Sequence, residues 1–267
     1  MEVKIIPTGG LCNRLRAIAT GVAIAKNYHA PSVIYWNNSR GLKADYGELF
    51  KPIPHDDVKL VENKQWLYNI KGKKDYLIRW PLLKILFEQN VFNFSIYRDG
   101  EIYRKLKMSY SRSFLLISCY PMCTKYTIQG MFVPQDDIQN RIDEVVAGFS
   151  ERTIGVHIRR TDNVVSIQSS PLEKFTSMME AEIKKNSNTR FYVASDDDEV
   201  KKCLKTKYPD RIITLMDDPD RNSLEGMKFA VLDLFCLSKT KKILGSVGSS
   251  YSQIAAEIGG IEVNYAK

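Results

Sequence analysis

The amino-acid sequence predicts an α/β protein with parallel sheets. From about residue 135 onward, short apolar runs alternate with longer amphipathic runs, and this alternation is typical of parallel strands covered by helices on both faces. The first 30 residues show the same order of strand, glycine turn and helix. The chain has 267 residues, of which 44% are hydrophobic and 26% charged, so it is long enough for one or two globular domains with large cores.

The amino-terminal part is the less regular half. An apolar run and small apolar residues at helical spacing indicate its first strand and helix, and a polar loop follows the second strand in place of a helix. Residues 60–130 are rich in aromatic and charged residues and predict only short strands and one amphipathic helix. The predicted elements are a strand at 3–6, a turn at 8–10, a helix at 13–27, a strand at 33–36, a loop at 37–45 and a buried strand at 113–118.

The carboxyl-terminal part alternates regularly between helices and strands. Its first helix has Asp136 or Asp137 near its start, where carboxylates suit the free backbone amides. Helices are predicted at 136–148, 171–186, 197–206, 224–237 and 250–258, and strands at 153–158, 190–194, 211–214, 242–245 and 261–264. The change in regularity predicts two domains, residues 1–140 and residues 141–267.

The net charge and the cysteines narrow the classes of function. A net charge of +8 suits a phosphate-bearing ligand, a polyanion or the anionic cytoplasmic face of a membrane. The longest basic clusters, at 71–74 and 239–242, are interrupted and lack interleaved aromatic residues, so nucleic-acid binding is a minor alternative. Five scattered cysteines and three histidines indicate neither a disulfide framework nor a zinc site.

The sequence also contains no apolar run that approaches the roughly 18 to 20 residues of a membrane span. Its amino terminus predicts a strand and a glycine turn and does not have the pattern of a signal peptide. Together with the unpaired cysteines, these features predict a protein of the reducing cytoplasm. The basic charge is compatible with a peripheral contact at the inner membrane.

A histidine and two arginines lie at the end of the predicted strand 153–158. Side chains alternate between the faces of a strand, so His157 and Arg159 should point to one side and Arg160 to the other. The carboxyl ends of parallel strands open onto the ligand crevice, and an imidazole beside a guanidinium suits an anion such as a diphosphate. For an isolated Arg-Arg pair, exposure to water or pairing with acids is the alternative.

Two strand-to-helix turns offer further contacts to an anion. Gly9-Gly10 lets a ligand approach the backbone, and the helix that follows offers unpaired amides, although the spacing fits neither a P-loop nor the dinucleotide fingerprint. Ser249 and Ser250 precede the last predicted helix, where their hydroxyls could cap the helix, hold a phosphate or do both. A plain structural turn and simple helix capping are the respective alternatives.

Acidic residues stand out at two further points. Asp196-Asp197-Asp198 invites a metal-binding interpretation, but the triplet opens a predicted helix, where Ser195 or Asp196 as the cap and acids near the positive helix end explain it. Asp233 lies in an otherwise apolar helical run, and an acid there is costly unless it is paired. It could pair with an arginine or accept hydrogen bonds from the edge of a guanine base.

Four segments in order resemble the GDP-fucose-dependent fucosyltransferases. The similarity is strongest to the α-1,6-fucosyltransferases and the nodulation-factor fucosyltransferases, and more distant to the protein O-fucosyltransferases. It covers residues 153–258 almost continuously and, in the amino-terminal half, mainly residues 3–20. The segments are Gly9-Gly-Leu-Cys-Asn13, His157-Ile-Arg-Arg-Thr-Asp162, Tyr192-Val-Ala-Ser-Asp-Asp197, and Asp233-Leu-Phe-Cys-Leu-Ser238 with Gly248-Ser-Ser-Tyr-Ser252.

The resemblance implies a GT-B fold, with two Rossmann-like halves facing a central cleft. Residues 1–140 would form the acceptor side and residues 141–267 would bind the GDP-sugar. The implied reaction is an inverting, metal-independent transfer of fucose from GDP-fucose to a hydroxyl of a glycan or glycolipid acceptor, without a cofactor. By motif, Arg159 would bind the β-phosphate and stabilise the departing GDP. The donor-binding residues implied in the same way are Gly10, Leu11, Cys12, Asn13, His157, Arg159, Asp233, Ser249 and Ser250.

The general base is left open. The α-1,6-fucosyltransferases have a glutamate a few residues after the Arg-Arg pair, whereas residues 163–168 contain no carboxylate here. Asp162 is the nearest acid and the catalytic candidate beside Arg159, although it is also a candidate partner of an arginine; Asp45 and Glu48 are the alternatives. A transferase that uses another GDP-sugar, such as GDP-mannose, and a GDP-sugar-binding protein without turnover also remain open.

Overall fold

The computed structural model of the protein describes residues 2–39, 41–62, 65–87, 89–93, 113–161, 163–216, 220 and 222–267. The chain forms two compact units, Met1–Gln135 with Arg221–Leu224 and Asp136–Asp220 with Glu225–Lys267. Each unit contains a five-stranded sheet in which all neighbouring strands are parallel. The predicted α/β class is therefore confirmed. The separate roles assigned to residues 1–140 and 141–267 stay a prediction.

The sheet of the first unit has the order β3-β2-β1-β5-β4. The chain runs outward from β1 to β3 and then returns to the other side of β1, so the strand order reverses between β1 and β5. Its elements are β1 (Val3–Pro7), α1 (Leu11–Asn27), β2 (Ser32–Trp36), α2 (Tyr46–Leu49), β3 (Val58–Glu62), a 3-10 turn (Trp66–Tyr68), α3 (Lys73–Leu86), β4 (Gln89–Asn93) and β5 (Phe114–Ser118).

Helices cover the two faces of this sheet because the strands are apolar on both sides. Ile5 lies under α1, where a Cβ atom at Gly21 would be 2.7 Å from its Cδ1 atom, so the glycine permits the close approach. Ile6 belongs to the core on the other face, with Leu83 of α3 and Phe87 directly after it. The buried stripe of α3 therefore faces the sheet.

The sheet of the second unit has the order β10-β9-β6-β7-β8. Its core joins apolar residues of the strands to Phe175 and Met179 of one helix and Leu204 of another. The elements are α4 (Asp136–Val146), β6 (Thr153–Ile158), α5 (Val164–Ser169), α6 (Leu172–Lys185), β7 (Arg190–Ser195), α7 (Asp198–Lys207), β8 (Ile212–Ile213), α8 (Leu224–Ser238), β9 (Ile243–Ser246), α9 (Ser250–Gly259) and β10 (Val263–Ala266).

The order of these strands selects one edge of the sheet for ligand binding. The chain leaves β6 towards β7 and β8, and later returns to the opposite side of β6 with β9 and β10. In open α/β sheets, ligands bind outside the carboxyl ends of the strands at such a reversal. A ligand site of this unit is therefore expected at the residues that follow β6 and β9.

Several predicted boundaries differ from the structure. Helix α1 begins at Leu11, because Gly10 is its N-cap, and not at Asn13. Strand β10 begins at Val263 and not at residue 261, because Gly260 ends α9 in the left-handed conformation and the amide of Ile261 still bonds to the helix. Helix α5 was not predicted at all. No helix in the described ranges is long and apolar enough to span a membrane.

Candidate active site

The carboxyl end of β6 holds His157 in the interior of the second unit. The side chain is only 5% exposed. Its ring stacks on Tyr251, with centroids 4.8 Å apart, and its Nδ1 atom lies 2.8 Å from Oγ of Ser252. Burial, together with the charge of Arg159, lowers the pKa of His157 to about 4, so the imidazole is neutral at pH 7.

Arg159 is the first residue after β6. Its side chain is 16% exposed, and its Nη1 atom lies 3.1 Å from Oδ2 of Asp196. Its backbone amide donates to Oγ of Ser246 at 3.0 Å, and that hydroxyl donates to the carbonyl of His157 at 3.2 Å. The last residue of β9 thus fixes the chain where it leaves β6, and the guanidinium is held at the edge of the sheet selected by the strand order.

Asp196 organises the segment that follows Arg159. It accepts hydrogen bonds from the amide of Arg160 at 2.7 Å and from Oγ1 of Thr161 at 2.6 Å. Burial acts to raise the pKa of Asp196, but the hydrogen bond from Thr161 and the charge of Arg159 outweigh it and hold the pKa below its usual value. The carboxylate is therefore ionised and paired at neutral pH.

The role predicted for this acid was wrong. Neither Ser195 nor Asp196 is the N-cap of α7, because the cap is Asp197, whose side chain accepts from the amides of Glu199 and Val200. Asp196 lies one residue earlier, at the end of β7, beside the end of β6. The general rule for parallel sheets, that the ends of neighbouring strands share a ligand edge, was the signal that could have identified it.

Arg160 differs from Arg159 in its environment. Its Nη1 atom donates to the carbonyl of Ser170 at 3.0 Å, so it ties the segment after β6 to the end of α5. The candidate Asp162 lies outside the described residues.

The turn after β9 brings Ser249 and Ser250 to the same edge of the sheet. Gly248 has a φ of +72°, which favours glycine, and Ser249 is the N-cap of α9. Helix α5 supports this turn: Oγ of Ser166 donates to the carbonyl of Val247 at 2.7 Å. The amino end of α9, which is the positive end of its dipole, therefore lies at the same edge of the sheet as Arg159.

Asp233 lies on α8 and is 7% exposed. It accepts a short hydrogen bond from the phenol of Tyr192 on β7. Burial and the neighbouring Asp233 charge raise the pKa of Tyr192 well above its usual value, so the phenol keeps its proton. Tyr251 donates to the carbonyl of Ala230 at 2.6 Å. Helix α8 is thereby linked both to β7 and to α9, whose Tyr251 ring stacks on His157.

The glycine turn of the first unit is built around two buried arginines. Gly9 has a φ of +81°, and its carbonyl accepts from Nε of Arg14 at 2.8 Å. Arg14 also donates to Oγ of Ser39, and burial lowers the pKa of Arg14 to about 10. Nη2 of Arg16 donates to Oδ1 of Asn13 at 2.8 Å. These arginines position the turn and the Asn13 side chain.

The predicted site residues thus fall into groups. His157, Arg159, Ser249 and Ser250 come together at one edge of the second unit, with Asp233 on a neighbouring helix of that unit. Gly10, Leu11, Cys12 and Asn13 lie in the first unit, at the start of α1, and their part in a common site stays a prediction. The residues that sequence reasoning did not assign to the site are Tyr192, Asp196, Ser246, Tyr251 and Ser252.

The alternative bases Asp45 and Glu48 have a structural role. They form a capping box at the start of α2, in which the amide of Asp45 donates to Oε2 of Glu48 at 2.7 Å. The side chain of Asn38 donates to Oδ1 of Asp45 at 2.8 Å. Both carboxylates therefore cap the helix, and a catalytic role for either stays a prediction.

Within the described part of the chain, no three His, Cys, Asp or Glu side chains form a group that could hold a metal ion. Metal independence of the reaction remains an expectation from the resemblance.

The burial of His157 predicts a pH dependence of stability. Its pKa is about 4 in the folded state and about 6.5 in the unfolded chain, so the unfolded chain takes up a proton that the folded protein excludes. The contribution of the neutral imidazole to the free energy of unfolding is fully present above pH 6.5. The free energy of unfolding should fall by on the order of 3 kcal/mol as the pH drops from 6.5 towards 4.

Urea unfolding at half-unit pH steps checks this, with His157→Gln expected to flatten the curve in that window. An unchanged slope in the variant would show that another group causes the dependence.

Comparisons with known proteins bear on the family and the fold of the chain. The family model described as "Alpha-(1,6)-fucosyltransferase N- and catalytic domains" matches residues 35–241. The fucosyltransferase NodZ from Bradyrhizobium is similar in structure, with a TM-score of 0.64 and 16% sequence identity, over 95% of this chain and 91% of that one.

Two further solved structures extend the likeness. NodZ α-1,6-fucosyltransferase soaked with GDP-fucose gives a TM-score of 0.67 at 16% identity, over 96% of this chain and 92% of that chain. A mutant of Arabidopsis thaliana FUT1 in complex with GDP gives a TM-score of 0.59 at 13% identity, over 99% of this chain and 69% of that chain. These likenesses confirm the predicted GT-B fold and its Rossmann-like halves.

Proposed function

Since the chain belongs to the family of α-(1,6)-fucosyltransferase N- and catalytic domains, we propose that it transfers fucose from GDP-fucose to a hydroxyl of a glycan or glycolipid acceptor. The chain is a glycosyltransferase of the fucosyltransferase class. The observation that carries the assignment of the donor site is the guanidinium of Arg159, held by Asp196 at the sheet edge where the strand order reverses.

Arg159 and the amino end of α9 supply the positive charge that the leaving diphosphate requires. As the bond between the sugar C1 atom and the β-phosphate oxygen breaks, negative charge grows on the GDP. A fixed guanidinium and the positive end of a helix dipole stabilise that charge without reorganising. This pair accounts for a metal-independent departure of GDP, because it provides the charge that a cation supplies in other transferases.

The acceptor oxygen attacks C1 from the face opposite the diphosphate, so the configuration at that carbon is inverted. The acceptor hydroxyl loses its proton as the new bond forms, and a base takes it up. Asp162 remains the candidate for this base, because Asp45 and Glu48 are engaged in a helix cap. Replacement of Asp162 by asparagine tests the assignment through the transfer rate at saturating donor.

Nucleotide-dependent stabilisation and acceptor-dependent GDP release together test the proposal. We expect GDP and GDP-fucose to raise the Tm, UDP to have no effect, and chelator to leave the shifts unchanged. We expect release of GDP from GDP-fucose to accelerate when a glycan acceptor is added. Stabilisation by UDP compounds alone would refute the donor assignment. Binding of GDP-fucose without release of GDP, for every acceptor tested, would indicate a binding protein without turnover.

A different GDP-sugar is the second candidate. The proposed donor-site residues contact the nucleotide part of the donor, and GDP-mannose carries the same nucleotide as GDP-fucose. Turnover of GDP-mannose in preference to GDP-fucose, measured at equal concentrations, would favour it.

We also propose that the enzyme works in the cytoplasm, at the inner surface of the membrane, on an acceptor carried by lipid. The net charge of +8 supports a contact with an anionic surface. Fractionation of cells into soluble and membrane pools, with and without a salt wash, tests this location.

A further inference from the structure

Helix α3 of the first unit has an apolar face that the described part of the chain does not cover. Five of its aliphatic side chains are about half exposed or more, with Ile85 at 74%. Pro81, between them, is also exposed. The five are Leu77, Ile78, Leu82, Ile85 and Leu86.

These residues form one continuous face. Positions 77, 81 and 85 are spaced by four residues, as are 78, 82 and 86, so the two rows lie side by side along the helix. The opposite stripe, with Tyr76 and Leu83, packs against the core of the sheet. A surface helix of a globular protein carries polar residues on its outer side, whereas α3 is apolar there, which marks an interaction surface.

The apolar face is framed by positive charge and by tryptophan. Lys73, Lys74 and Lys84 are exposed on the helix, and Nζ of Lys84 lies 4.9 Å from the ring centroid of Trp80. Trp66, which is 55% exposed, lies beside the helix with the Arg79 guanidinium 4.7 Å from its ring. Residues 59–86 contain seven Lys or Arg and two Asp or Glu.

We propose that α3 is a lipid-docking helix that lies in the surface of an anionic membrane. Its aliphatic rows enter the acyl region, Trp80 and the neighbouring Trp66 occupy the boundary, and its lysines contact the headgroup phosphates. This is the arrangement of interfacial amphipathic helices. Charge favours lipid over a second copy of the chain, because two such basic faces would repel each other, whereas anionic headgroups are complementary.

The docking proposal specifies which part of the protein contacts the membrane, and it rests on the membrane location proposed above. It does not depend on the transfer reaction. For an acceptor carried by lipid, docking confines enzyme and acceptor to the same surface. The rate on vesicle-borne acceptor then depends on α3, while the rate on a water-soluble acceptor does not.

Vesicle flotation tests the docking with no substrate present. We expect the protein to float with phosphatidylcholine vesicles that contain a quarter phosphatidylglycerol, and much less with pure phosphatidylcholine. Leu77→Glu combined with Ile85→Glu should reduce the bound fraction roughly tenfold. The matched control is Val133→Glu combined with Met216→Glu, which adds the same charge at exposed apolar positions elsewhere and should retain binding.

The stabilisation by GDP, measured on the same variants, separates this proposal from the proposed function. It should persist in the α3 variant, and its absence from the unaltered protein would refute the donor site without touching the docking result. Equal flotation of the α3 and control variants would overturn the proposal. So would sedimentation velocity that shows a dimer in the unaltered protein and a monomer only in the α3 variant, since the face would then bind a second copy.

Discussion

Replacing Arg159 with alanine is expected to reduce the rate of fucose transfer by a factor of roughly 10² to 10³. The guanidinium is held 3.1 Å from Asp196 and is 16% exposed, so it is fixed in place yet open at the sheet edge. Its loss removes the charge that stabilises the diphosphate as the sugar bond breaks. The affinity for GDP should fall as well, because the product carries the same diphosphate.

Initial rates and calorimetric titration of GDP measure the two effects. Arg159→Lys should restore part of the loss, because the charge returns without the two-pronged geometry. The matched control is Arg152→Ala, which removes the same charge from an exposed residue of the same unit and should leave both quantities unchanged. Normal GDP affinity in a folded Arg159→Ala protein would contradict the phosphate assignment.

Replacing Asp196 with alanine should lower both the transfer rate and the free energy of unfolding, because Asp196 positions Arg159 and also stabilises the segment after β6. The carboxylate receives the amide of Arg160, the hydroxyl of Thr161 and the guanidinium of Arg159. Its removal takes the acceptor from two partly buried donors and one exposed hydroxyl, and the loss of each such hydrogen bond costs about 0.5–1.5 kcal/mol. Arg159 also loses its anchor, so we expect a transfer rate at least tenfold lower at saturating donor.

The neighbouring acid provides the control for this experiment. Asp197→Ala removes the N-cap of α7 and should lower the free energy of unfolding by about 1 kcal/mol, with donor kinetics unchanged. Asp196→Asn keeps one acceptor oxygen, replaces the other with an amide donor and removes the charge, so it should recover only part of the stability. Equal kinetic losses in the alanine variants of both acids would show that Asp196 acts only through overall stability.

The sequence was sufficient for the elements that repeat a strong pattern. Strands β6, β7 and β9 are buried apolar runs, and the helices between them have clear amphipathic spacing, so they were predicted to within one or two residues apart from α5. The grouping of His157 with Arg159 also followed from the sequence, since it depends only on alternation along one strand.

The contacts across strands could not be predicted in the same way. Pairing of Tyr192 with Asp233, and of His157 with Ser252, joins residues 41 and 95 positions apart, and no local pattern encodes such a pair. Asp196 was misassigned because an acid just before a helix fits the pattern of an N-cap. The sequence alone does not distinguish such a cap from an acid that pairs with Arg159. Helix α5 was missed because its six residues are too few to show a period.

We propose that Arg159, beside the serine turn of the second unit, binds the diphosphate of the sugar nucleotide. A crystal structure of the protein with GDP tests it most directly. We expect β-phosphate oxygens within hydrogen-bond distance of the Arg159 guanidinium and next to Ser249 or Ser250 at the start of α9. A diphosphate bound away from the carboxyl ends of β6 and β9, with Arg159 still engaged only by protein groups, would contradict it.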